Sequence, residues 1–434
     1  MSEARQRQQW GTKLGLILAV AGSAIGLGNF LRFPVQAAQN GGGAFIIPYF
    51  VSLLLLGIPL MWIEWTIGRY GGIFGHGTAP GIFHTLWEKN RFIKYFGVIG
   101  IFGPLVIFIY YSYIESWLLG YAVFCLSGKF PLTGSQDEIK AFLSGYQGLE
   151  KNQYFNSVGW AYLFYLITFG INMAIVSKGI VKGIEKFCTW AMPTLLIMAL
   201  IVTVRVLTLG TPDLARPDWN LLNGLGYLWN PDLSALKDAK VWLAAAGQVF
   251  FTLSVGIGVI LTYASYLKRD QDVALSGLAS VATNEFAEII LGASIVIPAA
   301  FIFFGPVEIS NIAQSGAFNL GFVTMPMIFQ NLTLGALFAF LWFALLFLAG
   351  LTSSVSLLQP TIAFMEDEFR LARWQVVLIV GLFTFAATQP VIFFLGQGVV
   401  DEMDFWGGTF ALVVFGTIEA ILFAWVFGMS KAWD

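Results

Sequence analysis

The sequence predicts an all-α polytopic membrane protein. Of its 434 residues, 57% are hydrophobic and only 11% are charged, and the apolar residues fall in stretches long enough to cross a bilayer. Soluble domains are about 45–50% apolar and about 25% charged, so a soluble fold of this composition could not cover its surface with polar groups. The net charge of −2 gives no reason to expect a nucleic-acid partner. Composition therefore excludes a soluble enzyme, a nucleic-acid binder and a disordered chain.

Ten stretches contain the roughly 20 mostly apolar residues that a bilayer helix needs. We predict spans at 12–37, 43–69, 93–125, 159–177, 187–208, 240–266, 274–304, 335–365, 373–395 and 405–429. Longer polar segments lie at 126–158 and 209–239, and the connector at 305–334 is apolar but broken by Gly and Pro.

The basic residues predict the orientation. With a cytoplasmic N-terminus, 15 of the 23 Lys and Arg residues fall in cytoplasmic connections and 7 in extracellular ones, while Arg32 stays inside a span. Basic residues are enriched in cytoplasmic loops. Ten crossings then return the C-terminus to the cytoplasm.

Two spans contain clusters of small residues at mid-membrane. The first span reads Gly26-Leu27-Gly28 after a run of small residues, and the sixth reads Gly256-Ile257-Gly258. Glycine costs about 1 kcal/mol relative to alanine inside a helix, so each cluster is a candidate unwinding point. For one cluster alone, close packing of helices through small residues is the stronger alternative.

The occurrence of both clusters, in spans one and six of ten, favours unwinding. Interrupted helices at matching positions of two five-span halves are typical of inverted-repeat transporters, which bind their substrate at the midplane. Free N–H groups at such breaks suit a carboxylate, and freed carbonyls suit a cation. We therefore predict a first repeat at 1–208, an extracellular connector at 209–239 and a second repeat at 240–434.

No catalytic or metal-cluster pattern emerges. The chain has two histidines and no Walker A sequence, so energy must come from a gradient and no organic cofactor is expected. Cys125 and Cys188 are far apart in sequence, and two separate thiols are favoured over a disulfide.

Several motifs together resemble those of the neurotransmitter:sodium symporters and, within that family, those of the bacterial leucine transporter. They cover most of the chain and include Trp10-Gly11-Thr12-Lys13-Leu14-Gly15, Gly28-Asn29-Phe30-Leu31-Arg32-Phe33-Pro34, Gly350-Leu351-Thr352-Ser353-Ser354 and Asp401-Glu402-Met403-Asp404-Phe405-Trp406. The resemblance implies the leucine-transporter fold, an inverted five-plus-five repeat in which helices one and six are unwound at mid-membrane.

The resemblance implies two sodium ions. The ligands of site one would be the Ala24 carbonyl, the side-chain oxygens of Asn29, Thr252 and Asn284, and the substrate carboxylate. The ligands of site two would be the carbonyls of Gly22, Ile25 and Ala349 and the hydroxyls of Thr352 and Ser353. These hard oxygen ligands suit an alkali cation, although Thr352 and Ser353 taken alone would suit helix–helix hydrogen bonding equally well.

The resemblance also implies an amino-acid site. Its residues would be Ser23, Ala24, Gly26, Leu27, Gly28, Ile107, Tyr111, Phe251, Thr252, Ser254, Ile257, Ser353 and Leu357. Three of them depart from the leucine-transporter pattern: Ser23 stands in place of Asn, Ile257 in place of Phe and Ile107 in place of Val. Because the lining stays apolar, we expect a hydrophobic amino acid.

Gates are implied as well. Arg32 would pair through water with Asp404 at the extracellular side, above a lid of Phe251 and Tyr111. Arg7 with Asp367, with Trp10 packing nearby, would close the cytoplasmic side. Glu288 stands where chloride-dependent members carry a small hydroxyl residue, which predicts chloride independence with a possible change of protonation during the cycle.

We therefore expect a sodium-coupled symporter that carries hydrophobic L-amino acids, aliphatic or aromatic, across the bacterial cytoplasmic membrane by alternating access. The alternatives are a transporter of the same fold for another zwitterion or with proton coupling, a non-transporting amino-acid sensor, and a channel. Family members usually have twelve spans, so a short member and a chain lacking the last two spans both remain open. That leaves the contacts of a homodimer unspecified.

Overall fold

The computed structural model describes residues 8–433, and this part of the chain forms helices and turns with no β-strand. Eight of its helices are long and apolar enough to cross a membrane, and the bent pair at the start of the chain makes a ninth crossing if it is counted as one span. The protein is thus a multi-pass membrane protein, as its composition predicts.

Within the described residues, twelve helices cover the ten predicted spans, six in each half of the chain. The first half contains α1 (Lys13–Ala24), α2 (Gly28–Gln39), α3 (Gly43–Ile73), α4 (Ile93–Ser127), α5 (Gly159–Ser177) and α6 (Ile180–Leu207). The second half contains α7 (Ala239–Thr252), α8 (Val259–Ala264), α9 (Val273–Ile309), α10 (Gly335–Phe369), α11 (Arg373–Phe393) and α12 (Val399–Phe427).

The observed helices follow the predicted spans closely, with two exceptions. The first predicted span, 12–37, is divided into α1 and α2. The sixth predicted span, 240–266, is divided into α7 and α8, which have 14 and 6 residues. Neither is long enough alone for a helix that crosses about 30 Å of hydrocarbon. The two divided spans are those in which the two breaks were predicted.

Local capping explains where several of these helices begin. Thr12 accepts a hydrogen bond from the amide of Gly15 at 2.9 Å, Asp238 from that of Lys240 at 2.9 Å and Asp272 from that of Leu275 at 2.9 Å. Side-chain oxygens at these positions satisfy amides that have no partner within the helix. The helices α1, α7 and α9 therefore begin at residues that the local sequence selects.

The connectors carry short helices of their own. The polar connectors contain Gln136–Tyr146 and Leu221–Trp229, and the apolar one contains Ala317–Phe329. Before the last of these, Gly305 interrupts helical geometry with φ of 80°, followed by Pro306. The predicted Gly and Pro interruption of that connector is therefore a kink.

The two halves pack in a reciprocal pattern. α1 and α2 lie against the first and second parts of α9, and α7 and α8 lie against the first and second parts of α3. The equivalent helices α4 and α10 pack along each other at the centre. Each interrupted helix is thus supported by the long helix that follows the other one, as is typical of an inverted repeat.

Candidate functional site

The first break separates α1 from α2. Ile25 leaves helical geometry with ψ of 96°, and the two helices meet at a bend of 48°. Beyond the bend, the amide of Gly26 donates to Oδ1 of Asn29 at 2.8 Å. Gly26 has no room for a side chain, since a Cβ there would lie 2.9 Å from Oγ of Ser353. The predicted glycine cluster therefore marks a true interruption.

The second break, at 253–258, depends on left-handed backbone. Ser254, Gly256 and Gly258 have φ of 53°, 75° and 76°. A Cβ on Gly256 would lie 2.5 Å from the carbonyl oxygen of Leu412, and one on Gly258 would lie 2.3 Å from that of Gly100. Glycine adopts positive φ at little cost, so this backbone requires the two glycines that the sequence supplies.

A direct hydrogen bond joins the two breaks. The hydroxyl of Ser254 donates to the carbonyl of Ser23 at 2.9 Å. That carbonyl also accepts from the Ser353 hydroxyl on α10 at 3.2 Å. The breaks are therefore neighbours in space, although 231 residues separate the bonded pair in sequence.

A cavity of about 60 Å³ lies where the breaks meet. It is lined by all the residues predicted for the amino-acid site: Ser23, Ala24, Gly26, Leu27, Gly28, Ile107, Tyr111, Phe251, Thr252, Ser254, Ile257, Ser353 and Leu357. Asn29 lines it too, as do Gly408 and Leu412 of α12, which the sequence did not point to. We call this space the central pocket.

The central pocket is polar at the breaks and apolar elsewhere. The Tyr111 hydroxyl is buried beside the first break, where it accepts a hydrogen bond from the amide of Leu27 at 3.3 Å. Ile107, Ile257 and Leu357 form an aliphatic wall. A small zwitterion with an apolar side chain would match this division.

One group of oxygens connects α1 to α10. Oγ of Ser353 lies 3.3 Å from the carbonyl oxygen of Gly22 and 3.5 Å from that of Ile25. Oγ1 of Thr352 lies 3.0 Å from the carbonyl oxygen of Ala349. A Cβ on Gly22 would lie 3.2 Å from Cβ of Thr352. The structure therefore brings together all five residues predicted for sodium site two.

A second group surrounds the Asn29 amide. Its Nδ2 donates to Oδ1 of Asn284 at 2.8 Å, to Oγ1 of Thr252 at 3.1 Å and to Oε2 of Glu288 at 3.0 Å. The hydroxyl of Thr252 also donates to Glu288, and Gln248 donates to the other carboxylate oxygen at 2.7 Å. Residues predicted for sodium site one and Glu288 thus form one buried network.

A larger cavity of about 320 Å³ lies beyond the central pocket. We call it the vestibule; the two spaces share Leu27, Gly28, Tyr111 and Phe251, which lie between them. Phe251 and Tyr111 thus stand at the position predicted for a lid.

Arg32 and Asp404 both line the vestibule. The Arg32 guanidinium lies 4.2 Å from the centre of the Phe251 ring, and the Asp404 carboxylate accepts from the Tyr110 hydroxyl at 2.6 Å. Within residues 8–433 these two charged side chains make no direct ion pair. The pairing through water that the resemblance implies stays a prediction.

The opposite end of the molecule, where α1 begins, is closed. Trp10 is buried; its Nε1 donates to the carbonyl of Tyr263 at 2.9 Å and its ring meets that of Tyr263 edge to face. Asp367 accepts from the amide of Gly77 at 3.0 Å. Its predicted partner Arg7 lies outside the described residues.

Some contacts at the site have no signal in the sequence. Oε1 of Glu64 on α3 accepts from the amide of Gly256 at 2.5 Å and so holds the second break. Glu115 accepts from the Asn172 side-chain amide at 3.4 Å, and Glu285 accepts from the Tyr49 hydroxyl at 3.1 Å. Gln248 and Glu64 come from distant helices, so only the packed fold identifies what they bind.

Two interrupted helices that face each other at a buried pocket, in two halves packed reciprocally, define an inverted-repeat membrane transporter. The profile of the sodium:neurotransmitter symporter family matches residues 7–144 and 136–434. The chain therefore belongs to this family, and it is a sodium-coupled transporter and not an enzyme.

Relatives agree with this assignment. An uncharacterized sodium-dependent transporter of Methanocaldococcus jannaschii is 32% identical over 98% of this chain and 83% of its own length. The crystal structure of MhsT in complex with L-phenylalanine matches with a TM-score of 0.82 at 31% identity, covering 98% of this chain and 92% of the other. A sodium-dependent nutrient amino acid transporter of Drosophila erecta is 25% identical over 99% of this chain and 72% of its own length.

Proposed function

We propose that the protein imports hydrophobic L-amino acids, aliphatic or aromatic, together with sodium by alternating access. The observation that carries this proposal is the central pocket, which is bounded by two helix breaks on one side and by aliphatic side chains on the other. The matched structure with bound L-phenylalanine and the fly nutrient amino acid transporter support the substrate class.

The breaks would hold the two charged ends of the amino acid. The amides of Leu27 and Gly28, at the start of α2, and the Tyr111 hydroxyl would bind the carboxylate, since amides at a helix N-terminus attract anions. The carbonyls of Ala24, Phe251 and Thr252, with the Ser254 hydroxyl, would bind the amino group. The order of polar groups would thus fix the orientation of the substrate.

The substrate side chain would lie against Ile107, Ile257 and Leu357. Gly408 and Leu412 of α12 also line the pocket, and Gly408 has no side chain to fill it. This supports acceptance of bulky side chains, aromatic ones included. A single methylene discriminates by about 1–3 kcal/mol in such a pocket, so we expect several amino acids to compete.

Sodium at site one would lie between Asn29, Thr252 and Asn284. In the described structure the Asn29 amide nitrogen points at the other oxygens of this group. A half-turn of the amide would replace its donor by an oxygen and leave an all-oxygen cage for the cation. The substrate carboxylate would complete that cage, which makes ion and amino-acid binding mutually dependent.

Sodium at site two would join α1 to α10 through Gly22, Ile25, Ala349, Thr352 and Ser353. The Ser353 hydroxyl now donates to carbonyls at the end of α1. A cation among these oxygens would replace that donor and draw the two helices together. Two ions moving through 100 mV would each contribute about 2.3 kcal/mol to accumulation.

Chloride independence would follow from Glu288. Its carboxylate oxygens contact Asn29, Thr252, Asn284 and Gln248, next to sodium site one. A carboxylate at this place would supply the negative charge that balances the cation. If the charge is what matters, Glu288→Ser would make transport depend on chloride.

Alternating access would use the two ends described above. Arg32 and Asp404 would close the vestibule, and Trp10, Asp367 and Arg7 would close the other end. The distribution of basic residues supports a cytoplasmic N-terminus, which places the vestibule outside and Trp10 inside, in the bacterial cytoplasmic membrane.

A binding experiment would test the ion assignment. Radiolabelled leucine or phenylalanine is competed with the 20 common amino acids in sodium and in potassium, using the parent and the variants Asn29→Ala and Thr352→Ala. We expect binding to need sodium, apolar amino acids to compete best, and both variants to need more sodium. Unchanged sodium dependence in both variants would refute the assigned sites.

A further inference from the structure

A buried carboxylate on α6 holds the start of α1. The side chain of Glu185 accepts hydrogen bonds from the amides of Gly11 at 2.8 Å and Thr12 at 2.9 Å and from the Thr12 hydroxyl at 2.8 Å. Glu185 is 5% exposed. We call these three hydrogen bonds the Glu185 latch.

The local sequence is shaped to admit this carboxylate. A Cβ on Gly15 would lie 2.3 Å from Oε1 of Glu185, and one on Gly11 would lie 3.2 Å from it. Glu185 ends the wide helical turn Ile180–Glu185 at the beginning of α6. Any larger residue at position 15 would push the carboxylate away from the amides it binds.

The same segment is held from its other side. The amide of Trp10 donates to the carbonyl of Tyr266 at 3.4 Å, and its ring nitrogen donates to that of Tyr263. Gln8 accepts from the amide of Ile180 at 3.0 Å. The segment before α1 therefore lies between the end of α8 and the start of α6.

The energetics of the Glu185 latch favour a closed N-terminal end. An anion is stabilised at a helix N-terminus by the positive end of the helix dipole, and hydrogen bonds to an ionised acceptor are about twice as strong as neutral ones. A movement of the start of α1 away from α6 would break all three bonds at once. The Glu185 carboxylate would then need water molecules to replace these three hydrogen-bond donors.

We propose that Glu185 is a positioning residue of the transport cycle, whose carboxylate sets the fraction of molecules that are closed at the N-terminal end. This inference rests on the alternating access proposed above. Glu185 does not line the central pocket and is not among the residues proposed for the sodium sites. It acts through α1, which carries Gly22 and Ala24 of the two proposed sodium sites. Weakening the latch therefore lowers the apparent affinity for sodium, since the binding-competent state becomes less populated.

A native thiol reports on this equilibrium. Cys188 lies one helical turn beyond Glu185 and is fully buried. A Cβ on Gly22 of α1 would be 3.5 Å from its Sγ, so α1 covers the thiol. When α1 moves away from α6, Cys188 becomes accessible to a water-soluble reagent.

The test measures the rate at which a charged methanethiosulfonate reagent modifies Cys188 in the purified full-length protein. All proteins carry Cys125→Ser, so that Cys188 is the remaining thiol, and Cys188→Ala gives the background. Rates are measured in potassium and in increasing sodium, without amino acid. The variants are Glu185→Gln, Gly15→Ala and the control Glu138→Gln, which removes a capping carboxylate from the helix Gln136–Tyr146 far from α1.

We expect Glu185→Gln and Gly15→Ala to raise the modification rate in potassium by about tenfold or more, because each weakens charge-assisted hydrogen bonds. Saturating sodium returns the modification rate of both variants to that of the parent. The sodium concentration needed for this is higher than in the parent by a similar factor. Glu138→Gln behaves as the parent. If sodium reverses the raised modification rate, the variant has shifted the equilibrium between the open and the closed N-terminal end and has not unfolded locally.

Two results would overturn the latch. One is that Cys188 is modified in potassium at the same rate in the parent and in both variants. If Glu185→Gln does not fold, the comparison is made with Gly15→Ala alone. The other is a raised rate that sodium fails to reverse although it slows the parent. If sodium does not slow modification even in the parent, the proposed sodium sites fail, and the potassium rates still judge the latch.

Discussion

Ile257 lines the central pocket, whereas Thr352 lies beside it, among the residues predicted for sodium site two. Ile257 offers an aliphatic surface to the pocket, whereas the Thr352 hydroxyl points to carbonyls of its own helix, at 3.1 Å from Leu348 and 3.0 Å from Ala349. The first would select the substrate side chain and the second would bind an ion. Substitutions at the two positions should therefore change different measurements.

Replacing Ile257 by Phe should shift the preference toward smaller amino acids. The added ring fills the space next to Gly408 and Leu412, so phenylalanine binding should weaken relative to leucine binding by roughly tenfold. Competition binding at saturating sodium measures this ratio. Ile379→Phe, at a position that is 45% exposed on α11, should leave the ratio unchanged. An unchanged ratio in Ile257→Phe would show that the substrate side chain lies elsewhere.

Replacing Thr352 by Val should weaken sodium binding while the helix stays intact. The variant loses one hydroxyl ligand of site two, and we expect a sodium requirement raised about tenfold, which corresponds to about 1.4 kcal/mol. Sodium titration of amino-acid binding measures it. Thr417→Val is the matched control, because the Thr417 hydroxyl also donates to its own helix, at 2.7 Å from the carbonyl of Val413. Equal sodium curves for all three proteins would contradict the assignment.

The two helix breaks are the elements on which the site depends, and they differ in construction. The first uses an extended Ile25 and a close contact at Gly26, and the second uses three left-handed residues in six. Glu64 on α3 binds the amide of Gly256, so the second break is also held by the helix that packs on it. Rigid breaks are what keep carbonyls and amides aimed at the pocket.

Gly258→Ala should disrupt the second break. Positive φ costs an L-residue about 1–2 kcal/mol, and the new Cβ would meet the carbonyl of Gly100. We expect a lower melting temperature and loss of sodium-dependent binding. Gly247→Ala on α7, where a Cβ meets nothing within 4 Å, should be neutral or slightly stabilising. Thermal unfolding in detergent compares them, and equal melting temperatures would show that the break tolerates a side chain.

The spans and the breaks could be predicted from the sequence because both are local properties. Apolar length predicts spans such as 159–177, which matches α5, and paired glycines predict the interruptions. Long-range partners could not be predicted, since Glu185 and Gln248 acquire their roles only when distant helices pack. Glu185 stands between Lys182 and Lys186 at the start of a span, where it looks like part of a charged loop. The set of residues lining the pocket came from the family resemblance and not from periodicity.

At the scale of the whole molecule, the orientation in the membrane is a separate prediction. We expect a membrane-impermeant thiol reagent to label Gly210→Cys in intact cells and Gly75→Cys only after the cells are opened. Both glycines are exposed, with positive φ and nothing within 4 Å of a Cβ, so they form a matched pair. Cys125 and Cys188 are replaced by Ala in both proteins. The reverse labelling pattern would place the vestibule in the cytoplasm.

The molecule is closed at its N-terminal end. At the other end, the vestibule extends to Phe251 and Tyr111, the lid of the central pocket. Trp10 and the Glu185 latch close one end, while Arg32 and Asp404 remain apart at the other. This arrangement suits a state in which sodium and substrate enter from the vestibule. Transport then requires that the closed end open after they have bound.

Uptake of radiolabelled leucine and phenylalanine into proteoliposomes, driven by an inward sodium gradient, tests the central claim most directly. We predict accumulation above the equilibrium level, abolished when potassium replaces sodium and unchanged when gluconate replaces chloride. Binding without accumulation would instead indicate a sensor. Undiminished uptake in potassium would contradict coupling to sodium through the sites between the two helix breaks.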